Sequence, residues 1–204
     1  RNVSWAADEV DLQPRPANFA DSDQHLTAMQ VDVVLAAFGY NESFAGKEGL
    51  PAFRERLTKY LEGVRAKAYN GKTAARIVLI SPIANENVKG VDAADRNNAN
   101  IKAYLKVMQE VAAKQKVGFV DAYTATQKAM ASLGNDLTMN GRHLNEKGYQ
   151  LFASTVFKQL FGKDAPKLDE KVRVAVMEKN KQHFFRYRPL NTFYYAGGRN
   201  RSYG

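Results

Sequence analysis

Three short apolar runs constrain this chain more than any other feature: 31–38 (VDVVLAAF), 76–80 (RIVLI) and 117–120 (VGFV). Each is rich in β-branched or aromatic residues and nearly continuous in hydrophobicity, the pattern of a strand buried on both faces. Amphipathic stretches lie between and after them. Pro51 suits a first helical turn, and Phe53, Leu57, Tyr60, Leu61, Val64 and Ala68 then recur on one face, with Asn70-Gly71 expected to close that helix. Ile101, Tyr104, Leu105, Met108, Val111 and Ala112 form a second stripe, and Tyr149, Phe152, Val156 and Leu160 a third. Strands alternating with helices predict an α/β fold with a parallel sheet between helix layers. A further strand is expected to end near residues 1–5. Ligands of such sheets bind beyond the carboxyl ends of the strands, which directs attention to the loops after Phe38, Ile80 and Val120.

Length and composition narrow the chemistry. At 204 residues and 45% hydrophobic content the chain fits one domain able to bury a core. Its longest apolar run, 33–38, is far too short for a membrane span. Without cysteine there are no disulfides, no thiolate catalysis and no Cys-based zinc site. Neither a His-x-x-x-His spacing nor a phosphate loop or dinucleotide fingerprint occurs, so no metal and no cofactor are expected. The chain opens on Arg1 with no visible signal peptide and reads as a processed or partial form.

Past Leu160 the pattern changes. Residues 1–162 read as the α/β domain, and 163–204 as a C-terminal helix (168–181, after Pro166) followed by an extended basic, aromatic tail from His183. Ten Lys/Arg against four Asp/Glu in 161–204 carry +6 of the net +9. Arg alternates with aromatics at Phe184, Phe185, Arg186, Tyr187 and Arg188, and again from Phe193 to Arg201. Such a tail could stack nucleobases, which would give salt-dependent affinity lost on truncation after Gly162. No nucleic-acid-binding fold surrounds it, so it is read as an arm packed on the domain that leads to a further module, with no nucleic-acid partner.

Two segments carry chemistry. In 140–145 (NGRHLN), His143 follows a Gly-bearing turn and precedes Asn145, suited to cap the next helix, which holds an imidazole at the mouth of the fold. Of the other two histidines, His25 reads as a surface residue on a short helix and His183 falls in the tail. In 38–44 (FGYNESF), Gly39 lets the chain turn at a strand end and Asn41 offers an amide to a developing oxyanion. On spacing alone, an Asn that satisfies its own loop backbone is the commoner case. Ser43 and Ser81 sit beyond strand ends without a Gly-x-Ser-x-Gly elbow and read as structural.

Taken together, a strand ending in Gly-x-Asn-Glu and a His-Leu-Asn-x-x-Gly about a hundred residues later resemble the SGNH (GDSL-type) hydrolase family. The resemblance spans about residues 1–161, and the layout through residues 184–188 resembles a planctomycete-type subgroup. It implies a three-layer α/β/α, flavodoxin-like fold and a serine ester hydrolase, such as a carbohydrate O-acetyl esterase. It also implies a small-molecule or carbohydrate ester substrate and a secreted or periplasmic location. His143 matches the family's general base, and Gly39 and Asn41 match its oxyanion block, with Glu42 where Asp is usual. Residues 2–8 resemble the block with two glycines, Ser4 and Ala7 standing in their places, so that the Ser4 N–H is the expected second oxyanion donor.

Two departures stand out. The Gly-Asp-Ser nucleophile block does not occur, and is expected upstream of Arg1 in an N-terminally truncated domain. The acid three residues before the histidine is Asn140, which can orient the ring but adds no charge, with Asp136 the nearest carboxylate in sequence. These departures sustain an alternative from another class, a non-catalytic carbohydrate-binding or interaction module on a degenerate SGNH fold.

Overall fold

β1 (Val33–Ala37), β2 (Arg76–Ile80) and β3 (Gly118–Val120) form one parallel sheet in that order. They do so in a computed structural model that describes residues 1–90, 92–133 and 136–187. The register pairs Leu35 with Val78 and Ala37 with Ile80, and Ile80 with Val120, so residues at these positions share one face. Val34, Ala36, Ile77 and Leu79 share the other. Against that second face lie α2 (Leu50–Arg65) and α3 (Ala94–Gln115). Phe53, Leu57, Leu61, Tyr104 and Met108 from these helices are wholly buried there. Each such apolar side chain stabilises the fold by about 1.5–3 kcal/mol. On the first face α5 (Glu146–Phe161) lays Phe152, Val156 and Leu160 over Ile80 and Val120, with α4 (Ala122–Leu133) beside it. The result is the three-layer α/β/α arrangement that the sequence implied.

One part of the sheet is bare. On β1, Leu35 is 54% and Val33 40% exposed on the face that α5 covers elsewhere. Among the described residues β1 pairs only with β2, which leaves its outer edge open. The strand expected to end near residues 1–5 is not formed. Side chains hold that backbone instead: Ser4 N–H donates to Asn2 Oδ1, Trp5 N–H to Asp8 Oδ2, and the Tyr187 hydroxyl to the Val3 carbonyl.

Other expectations need correction. The helix begun at Leu50 ends at Arg65, before Asn70-Gly71, because Tyr69 leaves it to enter the core and donate to Asp23 Oδ1 of α1 (Ser22–Ala28). Tyr149, assigned to the buried stripe of α5, is 61% exposed. The C-terminal helix, α6 (Glu170–Tyr187), runs past its expected end and includes His183. Tyr187 at its end is buried, edge-on to Trp5 and Phe19. Residues 188–204, with the second aromatic run, lie outside the described residues. Among the described residues no helix is long and apolar enough to cross a membrane.

His25, read from sequence as a surface residue, is half-buried, with ring centroids 4.8 Å from Tyr187 and 5.4 Å from Phe19. His183 stacks on Tyr187 at 5.7 Å. Burial pushes both imidazoles down, and the Arg15 charge adds to this for His25 and the Arg1 charge for His183. Above the ordinary imidazole value of about 6.5 both rings are neutral whether the chain is folded or not. Below it the unfolded chain takes up protons that the packed rings resist, so stability falls with pH. Near-ultraviolet circular dichroism of Trp5 is therefore expected to weaken between pH 7.5 and 5, and Tyr187→Ala is expected to remove that transition.

Candidate active site

His143, the candidate base, is presented by a hairpin. Met139 N–H donates to the His143 carbonyl (2.8 Å) and Asn145 N–H to the Leu137 carbonyl (2.9 Å), closing the turn around Gly141. Asn145 then caps α5, its Oδ1 accepting Gly148 N–H at 3.0 Å, as its place in the sequence suggested. Gly148 must lack a side chain, since a Cβ there would lie 2.2 Å from the Leu137 carbonyl oxygen. Held in this way, His143 stands exposed to solvent. Asn140 meets it at Nδ1, with Oδ1 at 3.1 Å and Nδ2 at 3.0 Å, and Oδ1 also accepts the His143 backbone N–H at 2.9 Å. Asp136 pairs with Lys147 instead of reaching the ring.

The candidate oxyanion loop follows β1. Gly39 adopts φ 98°, and the Asn41 side chain donates to the Asp8 carbonyl at 3.1 Å. Ser4, Gly39 and Asn41 line one cleft of about 580 Å³, together with Tyr40, Pro82, Ile83, Arg142 and Phe152. The cleft runs along β1 from Val34 to Ala37 and reaches Ile80 at the end of β2, and His143 is not among its lining residues. All three expected donors are thus engaged within the protein: besides Asn41, Ser4 N–H is held by Asn2 Oδ1 at 3.0 Å and Gly39 N–H by Glu42 Oε2 at 2.9 Å. Ala7, at the second glycine position, has φ 66°, the left-handed region that costs a non-glycine residue about 1–2 kcal/mol. After glycine's greater loss of backbone entropy, Ala7→Gly is expected to raise stability by about 0.5 kcal/mol, read from the urea midpoint.

Two buried carboxylates, one unassigned and one read only as a stand-in for Asp, shape the site. Glu42, 4% exposed, accepts Val10 N–H (3.0 Å) as well as Gly39 N–H, and so ties the oxyanion loop to the segment carrying Asp8. Burial raises its carboxyl above the ordinary range, and these backbone donors partly offset that. Glu86, equally buried, accepts from Leu137 N–H and Thr138 Oγ1, while its own N–H donates to the Gly141 carbonyl. It fixes the His143 hairpin to the loop after β2.

The two loops are also joined directly. Arg142, immediately before His143, stacks on Tyr40, immediately before Asn41, with its Cζ 3.6 Å from the ring centroid. Asn85 bridges the same pair, its Nδ2 donating to Tyr40 Oη (3.3 Å) and the Gly141 carbonyl (3.1 Å). Only the Arg–aromatic pairing had a sequence signal, two candidate residues each preceded by a side chain able to stack.

Neither of the two serines beyond strand ends is poised for attack. Ser43, 2% exposed, donates to the Tyr40 carbonyl at 2.6 Å. Ser81 accepts Ala122 and Tyr123 N–H at 2.9 and 3.0 Å, which caps α4. Among the described residues no three His, Asp or Glu side chains converge as a metal site.

A family model for the GDSL-like lipase/acylhydrolase family matches residues 2–151. The chain belongs to that family. Solved structures agree on the fold. An acetylxylan esterase from Geobacillus stearothermophilus superposes with TM-score 0.56 at 17% identity, over 72% of this chain and 67% of that one, in a catalytic mutant. Another structure of the same esterase gives TM-score 0.53 at 17% identity, over 69% and 68%. A putative GDSL-like lipase from Parabacteroides merdae gives 0.54 at 19%, over 65% of this chain and 62% of that one. A search of curated proteins found no match.

Proposed function

We propose that this GDSL-family protein hydrolyses O-acyl esters of carbohydrate, acetate esters foremost, through a seryl acyl-enzyme. The observation that carries the reading is the locking of the His143 hairpin onto the Asn41 loop by Arg142 and Tyr40, with Asn140 on His143 Nδ1. A donor amide in the cleft and an imidazole on the hairpin locked to its loop would be the two halves of an acyl-transfer site. His143 Nε2 takes the serine proton as the hydroxyl adds to the ester carbonyl, and returns it to the departing sugar oxygen. Water then repeats the sequence on the acyl-enzyme. Asn41 supports the oxyanion, and rotation of Ser4 N–H away from Asn2 would add a second donor. The carbohydrate acetyl class is suggested by the fold shared with the acetylxylan esterase.

In this reading the nucleophile comes from outside residues 1–204. Two observations support that. The internal serines after β1 and β2 are buried in structural hydrogen bonds. The open edge and bare apolar face of β1 have the form of a seat for one more strand and its helix beside the cleft. The 204-residue chain alone is therefore expected to release no nitrophenol from a short-chain nitrophenyl ester. Steady release abolished by His143→Ala would overturn this assignment of the nucleophile.

The engagement of Ser4 N–H and the Asn41 amide within the protein favours a second reading, a carbohydrate-binding module without catalysis. Serine-directed fluorophosphonate labelling of the protein with its preceding segment separates the two, because only the enzyme is labelled.

A further inference from the structure

Arg142 has a setting that neither orientation of His143 nor closure of the hairpin requires. Among the described residues no carboxylate lies within ion-pair distance of it, although it is half-buried. Of the cleft's other charged groups, Arg1 has no ion pair among the described residues, and the remaining three are satisfied. Asp8 and Arg15 pair through two hydrogen bonds at 2.7 and 2.8 Å, and Glu42 is held by backbone N–H groups. Burial presses the guanidinium down from its ordinary value, so the protein bears a desolvation cost there without a compensating anion. Stacking on Tyr40 occupies one planar face of the guanidinium and leaves its in-plane N–H groups free to donate. The stack also fixes the fork, so that little side-chain entropy is lost when an anion binds. A planar, fixed, unpaired fork beside the reacting centre matches a carboxylate, which it can take by two parallel hydrogen bonds.

We infer that Arg142 is a specificity residue for a carboxylate carried by the ester substrate, as in the acylated sugar of a uronate-containing saccharide. This rests on the esterase reading for the word substrate, but not for the binding. The uronate would sit on the alcohol side of the scissile bond, against the Arg142–Tyr40 stack, with the ester carbonyl toward Asn41 and His143. Net charge supports the choice of sign: the chain carries +9, and no unpaired carboxylate faces Arg142 in the cleft.

The test measures binding and turnover separately. By calorimetry the protein is expected to bind digalacturonate about tenfold or more tighter than xylobiose, with the difference shrinking in salt. Arg142→Gln is expected to abolish the preference, and Arg142→Lys, a point charge without the fork, to keep only part of it. Lys102→Gln, which removes a charge elsewhere, is expected to preserve the preference. Circular dichroism and the urea midpoint verify that each variant is folded. In turnover, with the seryl segment present, acetylated digalacturonate is expected to exceed acetylated xylobiose in kcat/KM by a similar factor. A preference for a hemisuccinate over an acetate of the same neutral alcohol, lost in Arg142→Gln, would retain Arg142 as the carboxylate reader and move the group to the acyl side. Equal affinity for the two disaccharides, no binding of either, or a preference that survives Arg142→Gln overturns the inference. Hydrolysis of neutral and acidic esters at equal rates overturns it while keeping the esterase. Arg142-dependent binding with no hydrolysis of any ester does the reverse.

Discussion

Asn140→Asp is expected to raise kcat/KM for a short-chain ester by roughly 10²–10⁴ if, as proposed, a segment outside residues 1–204 supplies the serine. The size follows from what the amide at Nδ1 fails to do. For His143 to accept the serine proton at Nε2, its own proton must sit on Nδ1 and be donated to an acceptor. Asn140 Oδ1 lies 3.1 Å from Nδ1, but it already accepts the His143 and Arg142 backbone N–H groups. The Nδ2 amide, 3.0 Å from the same nitrogen, competes by donating to it, which drives the proton to Nε2 and disables the base. A carboxylate has no donor with which to stabilise the wrong tautomer, and its charge also supports the imidazolium formed in the transition state. Nitrogen-15 spectra of the His143 ring provide a check independent of turnover. Asn140→Asp should increase the Nδ1–H tautomer, even in the 204-residue chain. An unchanged tautomer ratio together with unchanged kcat/KM would show that Asn140 does not orient the ring.

The elements that a local pattern specifies were legible. β2 runs over the residues read from its hydrophobicity, and every residue of the Ile101–Ala112 stripe is buried in α3. His143 and Gly39 stood out because turn and cap chemistry is local, Asn41 only through the resemblance to the SGNH family, and the structure brings Ser4, Gly39 and Asn41 to one cleft. What escaped depends on partners distant in the chain. The early end of α2 comes from Tyr69 reaching Asp23, 46 positions away. Val10 lies 32 positions from the Glu42 carboxylate that holds it, and Leu137 lies 51 from Glu86. A glutamate in a loop looks solvated in sequence, and only the folded chain reveals that backbone donors surround it. The same holds for His25, whose burial is imposed by α6 from the other end of the chain.

Glu42→Ala is expected to be the most destabilising change near the site, at about 2–5 kcal/mol, because it strands two backbone N–H groups that the fold buries. That is a large part of the roughly 5–15 kcal/mol that holds a domain together. Glu42→Gln should cost less, since it keeps one acceptor while turning an amide donor against the other N–H. The pH dependence separates charge from shape. Burial raises the Glu42 carboxyl, so the folded chain binds this proton more tightly than the unfolded one. Its contribution is complete below the unfolded value, near 4.5, and is lost as pH rises through the folded one. Other groups titrate alike in both proteins, so the urea-derived stability gap between wild type and Glu42→Gln should narrow from pH 4.5 to 7.5. A gap that widens instead would mean that the backbone donors outweigh burial and hold the carboxylate charged. In either case the loss should reach the chemistry, because Glu42 fixes Gly39 to Val10 and thereby sets Asn41 against Asp8. A variant that unfolds only partly should therefore lose its oxyanion loop before its sheet.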